Sequence, residues 1–428
     1  MRRPTRRWVA FWGTVGAAAV SLAPVGAVPA QAAALHTLVN PGFSSGTAGW
    51  AESTPLGSIT TIGTGLTGRA ARLTHRSSTA YTVVLNDVTD TVRRTVAGAS
   101  YTATAWVRAD RPTTVSIRLQ ERSNTLRGEG IATVQVGASW QQLGINYVAR
   151  TTGASMDLNV LGARLAPGGF LDVDELGFAG RTLVWRDDFS ASRLDATSWT
   201  PLNYSTNGVS NGQLDCLVNR NANLALSRGT LSIIARREST PIRCGNDPNF
   251  PNGRSYTSGF ITTKGKKSWT YGRFEIRARL PMARGTTNGL WPAFWMWPND
   301  NASGELDIME ALGREPDRVY HFAHSSTDPA APSEGGPYVF RGGRTPGDGF
   351  HTYAAEWDPG QIRWFVDGRL TYSLTPANAP WVGAAFDSPM HLMVNLSVGG
   401  LWAQSPDANT RFPAAYVVDY VRVYGRAR

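Results

Sequence analysis

The sequence predicts an all-β protein of two domains. Three observations predict it. The chain is punctuated by 45 glycines and 25 prolines, short runs place apolar residues at every second position, and no stretch holds a helical period for a useful length. At 428 residues the chain exceeds one average domain, and its 42% hydrophobic and 10% aromatic content is ample for two cores.

The chain opens on a processing signal, residues 1–32. Arg2, Arg3, Arg6 and Arg7 form a basic start, residues 8–28 are apolar, and Ala30-Gln31-Ala32 is a small-residue cleavage site. A secreted, extracellular protein whose mature chain starts near Ala33 is expected. Gly13, Gly16, Pro24 and Pro29 make the stretch a poor permanent membrane span. Thr5-Arg6-Arg7-Trp8-Val9 bears a weak resemblance to a twin-arginine export signal.

Residues 35–179 read as short strands separated by Gly, Thr and Ser. Tyr101-Thr102-Ala103-Thr104-Ala105-Trp106-Val107 alternates, as does Val115-Ser116-Ile117-Arg118-Leu119-Gln120. Period two means one buried face, and a β-sandwich is the economical fold. Residues 181–428 form the second domain. Phe274-Glu275-Ile276-Arg277-Ala278-Arg279-Leu280 alternates cleanly. Ile362-Arg363-Trp364-Phe365-Val366 runs into Asp367-Gly368, a hairpin-turn dipeptide, and Leu370-Thr371-Tyr372 returns. Residues 416–424 make the last strand. The lack of strand–helix alternation excludes an α/β barrel and a dinucleotide fold.

The formal charge is +10, and four of the arginines lie in the export signal. Lys264, Lys266 and Lys267 are all the lysines, and the arginines are scattered. No basic patch with interleaved aromatics is present, so nucleic acid is not an expected partner. Cys216 and Cys244 are the two cysteines. In an exported chain such a pair most simply forms one disulfide, and no nearby His or second Cys pair supports zinc.

The chemistry concentrates in Gly304-Glu305-Leu306-Asp307-Ile308-Met309-Glu310. As a strand, it places Glu305 and Asp307 on one face and Leu306 and Ile308 on the other. Plain alternation would then turn Glu310 into the core, where an unpaired carboxylate costs several kcal/mol. One extra residue, a β-bulge near Ile308-Met309, returns Glu310 to the face of Glu305. Two outer carboxyls flanking a scissile bond about 5–5.5 Å apart suit retaining glycoside hydrolysis. Three acids this close do not all ionise readily, so one outer carboxyl is expected to hold its proton. Upstream, Trp291, Trp295 and Trp297 share one strand face. Acids beside indoles imply a site that protonates a glycosidic oxygen while sugar rings stack on aromatic faces.

Two resemblances follow. Asn40-Pro41-Gly42-Phe43, Trp50, residues 100–109, Trp140-Gln141-Gln142-Leu143 and Phe170-Leu171-Asp172-Val173-Asp174-Glu175-Leu176 come in an order that resembles jelly-roll carbohydrate-binding modules. Trp50, Tyr81, Trp106 and Trp140 are aromatic candidates there. The second domain resembles glycoside hydrolase family 16, in its laminarinase-like members. Trp185-Arg186-Asp187-Asp188-Phe189, Tyr271-Gly272-Arg273-Phe274-Glu275, Leu290-Trp291-Pro292-Ala293-Phe294-Trp295, the acid strand, Phe350-His351-Thr352-Tyr353, Asn395-Leu396-Ser397-Val398-Gly399-Gly400 and residues 418–424 carry the resemblance in family order.

The resemblance implies a curved, concanavalin-like β-jelly-roll catalytic domain. It implies Glu305 as nucleophile, Asp307 as assisting carboxylate and Glu310 as general acid/base. Trp291, Trp295, His324, Asn395 and Trp402 would contact sugar, and Asp188 and Asp419 would hold a structural calcium. Catalysis would need no cofactor. The expected protein is a monomer that cleaves β-1,3-glucan internally with retention, with no membrane partner after processing. A galactan, a mixed-linkage β-glucan, transglycosylation and a non-catalytic glucan-binding role are the alternatives. The sequence departs from the family at Asn211-Gly212-Gln213-Leu214, where Gln213 stands in place of an acid, and at Phe260, where a basic residue is common.

Overall fold

The computed structural model describes residues 36, 38–205, 211–245, 247, 249–300, 304–326 and 331–426. Residues 1–32, read above as an export signal, lie outside the described residues. Among the described residues the one α-helix, Val382–Ala385, is four residues long, and all other extended structure is β. The all-β expectation is borne out. Two compact units meet in sequence at Val184 and Trp185.

The first unit has two antiparallel sheets. One runs in the order Trp50–Glu52, Tyr81–Asp87, Ser155–Leu165, Thr113–Arg122, Leu126–Val136. The other contains Gln141–Val148, Ser100–Ala109, Leu171–Asp187, Ala70–His75 and Gly57–Ile62. Alternation works as expected: Val115, Ile117 and Leu119 are fully buried, while Ser116 and Arg118 point outward. Each such apolar side chain contributes roughly 1.5–3 kcal/mol. Of the two roles open to Trp50, sugar contact and packing, the structure shows packing. It is core, packed 6.0 Å from the Phe43 ring, with its indole N–H donated to the Val39 carbonyl at 2.8 Å. Its polar edge is used up locally, so a core site is the lower-energy place for its bulk. Tyr81, Trp106 and Trp140 stay half-buried, and the Arg108 guanidinium lies 4.7 Å from the centre of the Trp140 ring.

The second unit is a β-sandwich. One sheet runs in the order Thr200–Pro201, Phe260–Thr262, Met390–Val398, Leu290–Pro298, Glu305–Glu310, Arg318–His324, Ser333–Val339. The other contains, in order, Asp215–Leu217, Arg254–Ser258, Thr230–Ile242, Ala414–Arg426, Gly272–Arg279, His351–Asp358, Gln361–Val366 and Arg369–Leu374. Phe274, Ile276, Phe294, Leu306, Trp364 and Val394 fill the space between them with no exposed surface. The Asp367-Gly368 turn has positive φ at both residues (51° and 75°), as a tight primed turn requires.

One polar face differs from the sequence reading. Arg273, Glu275 and Glu356 alternate with core residues but are themselves buried. Buried charges persist only when paired. Arg273 lies 2.6 Å from Glu275 and 3.4 Å from Glu356, and Arg363 lies 3.0 Å from Glu356 and 3.1 Å from Asp358.

Cys216 and Cys244 are bonded across 28 residues, with Cα atoms 5.7 Å apart. Closing a loop of this size contributes about 3 kcal/mol in the chain-entropy model. Reduction, or Cys216→Ala with Cys244→Ala, is therefore expected to lower the melting temperature by several degrees. An unchanged thermal midpoint in a reducing scan would show that the bridge adds nothing.

Candidate active site

The acid strand Glu305–Glu310 lies between Leu290–Pro298 and Arg318–His324. Against the first neighbour, Asp307 pairs with Trp295 and Met309 with Phe294, so Ile308 has no partner. Against the second, Asp307 pairs with Phe322 and Glu310 with Tyr320, again with one residue too many on the acid strand. This is the bulge that side-chain parity demands. Leu306, Ile308 and Met309 are fully buried in the core, and Glu305, Asp307 and Glu310 share the opposite face. Gly304 enters the strand at φ 82°, a conformation disfavoured for L side chains, and a Cβ there would sit 2.5 Å from the Ala385 carbonyl oxygen.

The three acids line one pocket that is open to solvent. Asn211, Gln213, Trp291, Ala293, Trp295, Asn395 and Ser397 complete its lining. Glu305, Asp307 and Glu310 are only 5%, 2% and 2% exposed. Alternation reports which face a side chain takes. It does not report how deep that face lies between the flanking side chains.

Asp307 and Glu310 are braced by neighbouring side chains. Trp291 Nε1 donates to Glu310 Oε1 at 3.0 Å. His324 Nε2 lies 3.2 Å from Asp307 Oδ2, and its Nδ1 lies 2.7 Å from the Ser333 hydroxyl. The Ser333 hydroxyl thus meets one ring nitrogen and the Asp307 carboxylate faces the other. Trp295 Nε1 donates to Asn395 Oδ1 at 2.8 Å, and Asn395 Nδ2 donates to Ser397 Oγ at 3.1 Å. Trp291 and Trp295 thus spend their N–H groups orienting polar partners, a role that the stacking expectation did not include.

His324 and Asn395 therefore join the acids, as do Trp291 and Trp295. Trp402 is half-buried and does not line this pocket. It packs edge-on against Trp291 at 5.5 Å, Tyr320 at 5.1 Å and Phe322 at 5.9 Å. Asn211, Gln213 and Ser397 are site residues that the candidate list missed. The signal was present in the departure at Gln213. Gln213 Oε1 accepts the Asn211 backbone N–H at 2.8 Å, while the Asn211 side-chain amide is buried with neither polar atom bonded. A buried, unpaired amide in a pocket suits a ligand carrying hydroxyls. Gly400, at φ 114°, lets the following chain pass Trp291 and the Asn211 carbonyl, which a Cβ would approach to 3.4 and 3.2 Å.

Asp188 and Asp419, expected as calcium ligands, each lie beside arginines. Asp188 lies 3.3 Å from Arg186 and 3.7 Å from Arg422, and Asp419 is paired with Arg277.

The sequence profile described as glycosyl hydrolases family 16 matches residues 209–422, and one described as a carbohydrate binding domain matches residues 35–164. The chain is 41% identical over 260 residues to a beta-glucanase of Rhodothermus marinus, a match covering 56% of this chain and 84% of that protein. It is 38% identical over 274 residues to glucan endo-1,3-beta-glucosidase A1 of Niallia circulans, covering 58% of this chain and 38% of that longer protein. The catalytic domain of an endo-1,3-beta-glucanase (laminarinase) from Thermotoga petrophila RKU-1 has a similar structure. The TM-score is 0.51 at 33% identity, over 58% of this chain and 99% of that one.

Proposed function

The chain belongs to glycosyl hydrolases family 16 and is a glycoside hydrolase, and from that premise we propose that it is a secreted enzyme cleaving β-1,3-glucan internally with retention of configuration. The observation that carries the reading is the bulged strand, with Glu305, Asp307 and Glu310 together on the pocket face. Glu305 attacks the anomeric carbon while Glu310 gives its proton to the departing glycosidic oxygen. The C–O bond breaks and a glycosyl ester forms on Glu305. Glu310, now a carboxylate, takes a proton from water, and the hydroxide formed displaces Glu305 with a second inversion. Asp307, held by His324, keeps the nucleophile oriented between the two glutamates. The Asn211 amide and the Asn395–Ser397 pair offer hydrogen bonds to sugar hydroxyls.

The β-1,3 preference draws on the likeness to the Niallia and Thermotoga proteins. The Gln213 replacement favours a second reading, a mixed-linkage β-glucan, because a neutral amide alters hydroxyl recognition at the pocket wall. The region matching the carbohydrate binding domain would hold the enzyme on polymer.

Digestion of laminarin, lichenan, galactan and agarose tests the reading. Laminarin is expected to be cut fastest, to mixed oligosaccharides whose new ends first appear as the β-anomer by proton NMR. Faster lichenan cleavage would select the mixed-linkage reading. First-formed α-anomer would rule out retention, and release of glucose alone would rule out internal cleavage.

A further inference from the structure

Ile308 is the extra residue of the bulge, so its main chain cannot pair as its neighbours do. A buried carbonyl left unpaired costs about 1–3 kcal/mol. His321 answers it from the core side of the adjacent strand, where Val319 and Ala323 are also buried. Its Nδ1 lies 2.8 Å from the Ile308 carbonyl oxygen, so this nitrogen carries the proton and donates. Its Nε2 lies 3.1 Å from the Thr371 hydroxyl. Trp364 stacks beside the imidazole, with ring centres 6.2 Å apart, and donates Nε1 to the Asp307 carbonyl at 2.9 Å. Both carbonyls at the bulge are therefore held by side chains from behind the sheet. Burial pushes the His321 pKa down to about 4, so the ring stays neutral and keeps a single N–H for this bond.

We propose that His321 is a positioning residue of the reaction: by holding the Ile308 carbonyl it fixes the bulge that aims Glu310 at the cleft beside Glu305. The claim rests on the reading of those two glutamates as acid and nucleophile. His321 touches no substrate. Its loss would not send Glu310 into the core, because burying that carboxylate costs several kcal/mol. It would instead loosen the bulge, and a misplacement of about 1 Å in a catalytic group can cost ~10²-fold in rate.

Two variants separate this role from simple core packing. His321→Leu keeps bulk and removes the donor, whereas His321→Asn places an amide N–H near the position of Nδ1. Both are assayed on laminarin and on a dinitrophenyl β-glycoside, whose leaving group needs no proton. For His321→Leu, kcat on laminarin is expected to fall ~10²-fold with KM little changed. The loss in the burst rate of dinitrophenolate release, which reports glycosyl-enzyme formation alone, is expected to be smaller, and His321→Asn should recover most of the laminarin rate. An unchanged kcat in His321→Leu, an Asn variant no better than Leu, or a dinitrophenolate burst slowed as much as laminarin turnover would each overturn the proposal. Glu310→Gln is run alongside. If it keeps the laminarin rate, the acid assignment is wrong and the inference falls with it. If it loses that rate while His321→Leu does not, the inference alone falls.

Discussion

Glu305→Gln is expected to lose at least ~10⁴-fold in kcat on any polysaccharide the protein cleaves, the scale on which removal of a covalent-catalysis residue acts. The amide has nearly the volume of the carboxylate but cannot form the glycosyl ester. Glu305 is 5% exposed and on the pocket face, so the change leaves the core of Leu306, Ile308 and Met309 untouched. The thermal midpoint should move little. Binding to laminarin, measured by calorimetry, should survive, because the pocket walls and the carbohydrate-binding region are intact. A variant that still turns over would refute the nucleophile assignment. A wild-type protein that binds glucan without cleaving it would leave the family fold serving recognition alone.

Glu310→Gln is expected to lose ~10²–10⁴-fold on laminarin, the usual worth of a positioned general acid. Its signature is dependence on the leaving group. A dinitrophenolate departs without a proton, so formation of the glycosyl-enzyme should be nearly normal with that substrate. The second step still needs Glu310 as base, so a burst followed by slow turnover is the expected trace. Azide, which needs no deprotonation to attack, should relieve the slow phase and give a glycosyl azide. Equal losses with both leaving groups, and no azide effect, would sink the acid/base role. The Trp291 indole can donate to the amide oxygen as it does to Glu310, so packing at the site is preserved.

Parity was the most productive argument available from the residues. Three apolar and three acidic side chains in six positions admit one arrangement that leaves no carboxylate in the core, and that arrangement needs an extra residue. The register with Leu290–Pro298 places it at Ile308, and the register with Arg318–His324 places it within Ile308-Met309. In the structure Trp291 and Trp295 lie on the acid face and Phe294 and Met296 in the core. Parity could not say that the two indoles would spend their N–H groups on Glu310 and Asn395. Nor could it show that His321, beside the more conspicuous His324, points the other way and grips the bulge from behind. Asn211 and Gln213 lie some ninety residues before the acids in sequence, and only the folded sandwich brings them to one pocket.

The sequence by itself determined the fold class, the faces of the strands, the bulge and the shared face of the three acids. Each of these follows from short-range sterics and the cost of burying charge, which act within a few residues. The tertiary structure alone decided the depth of the acids, the partners that brace them, the buried pairing of Arg273 with Glu275 and Glu356, and the arginines that claim Asp188 and Asp419. Those depend on which distant strands pack together, and the hydrogen bonds and ion pairs formed there are set by three-dimensional proximity that local patterning does not encode.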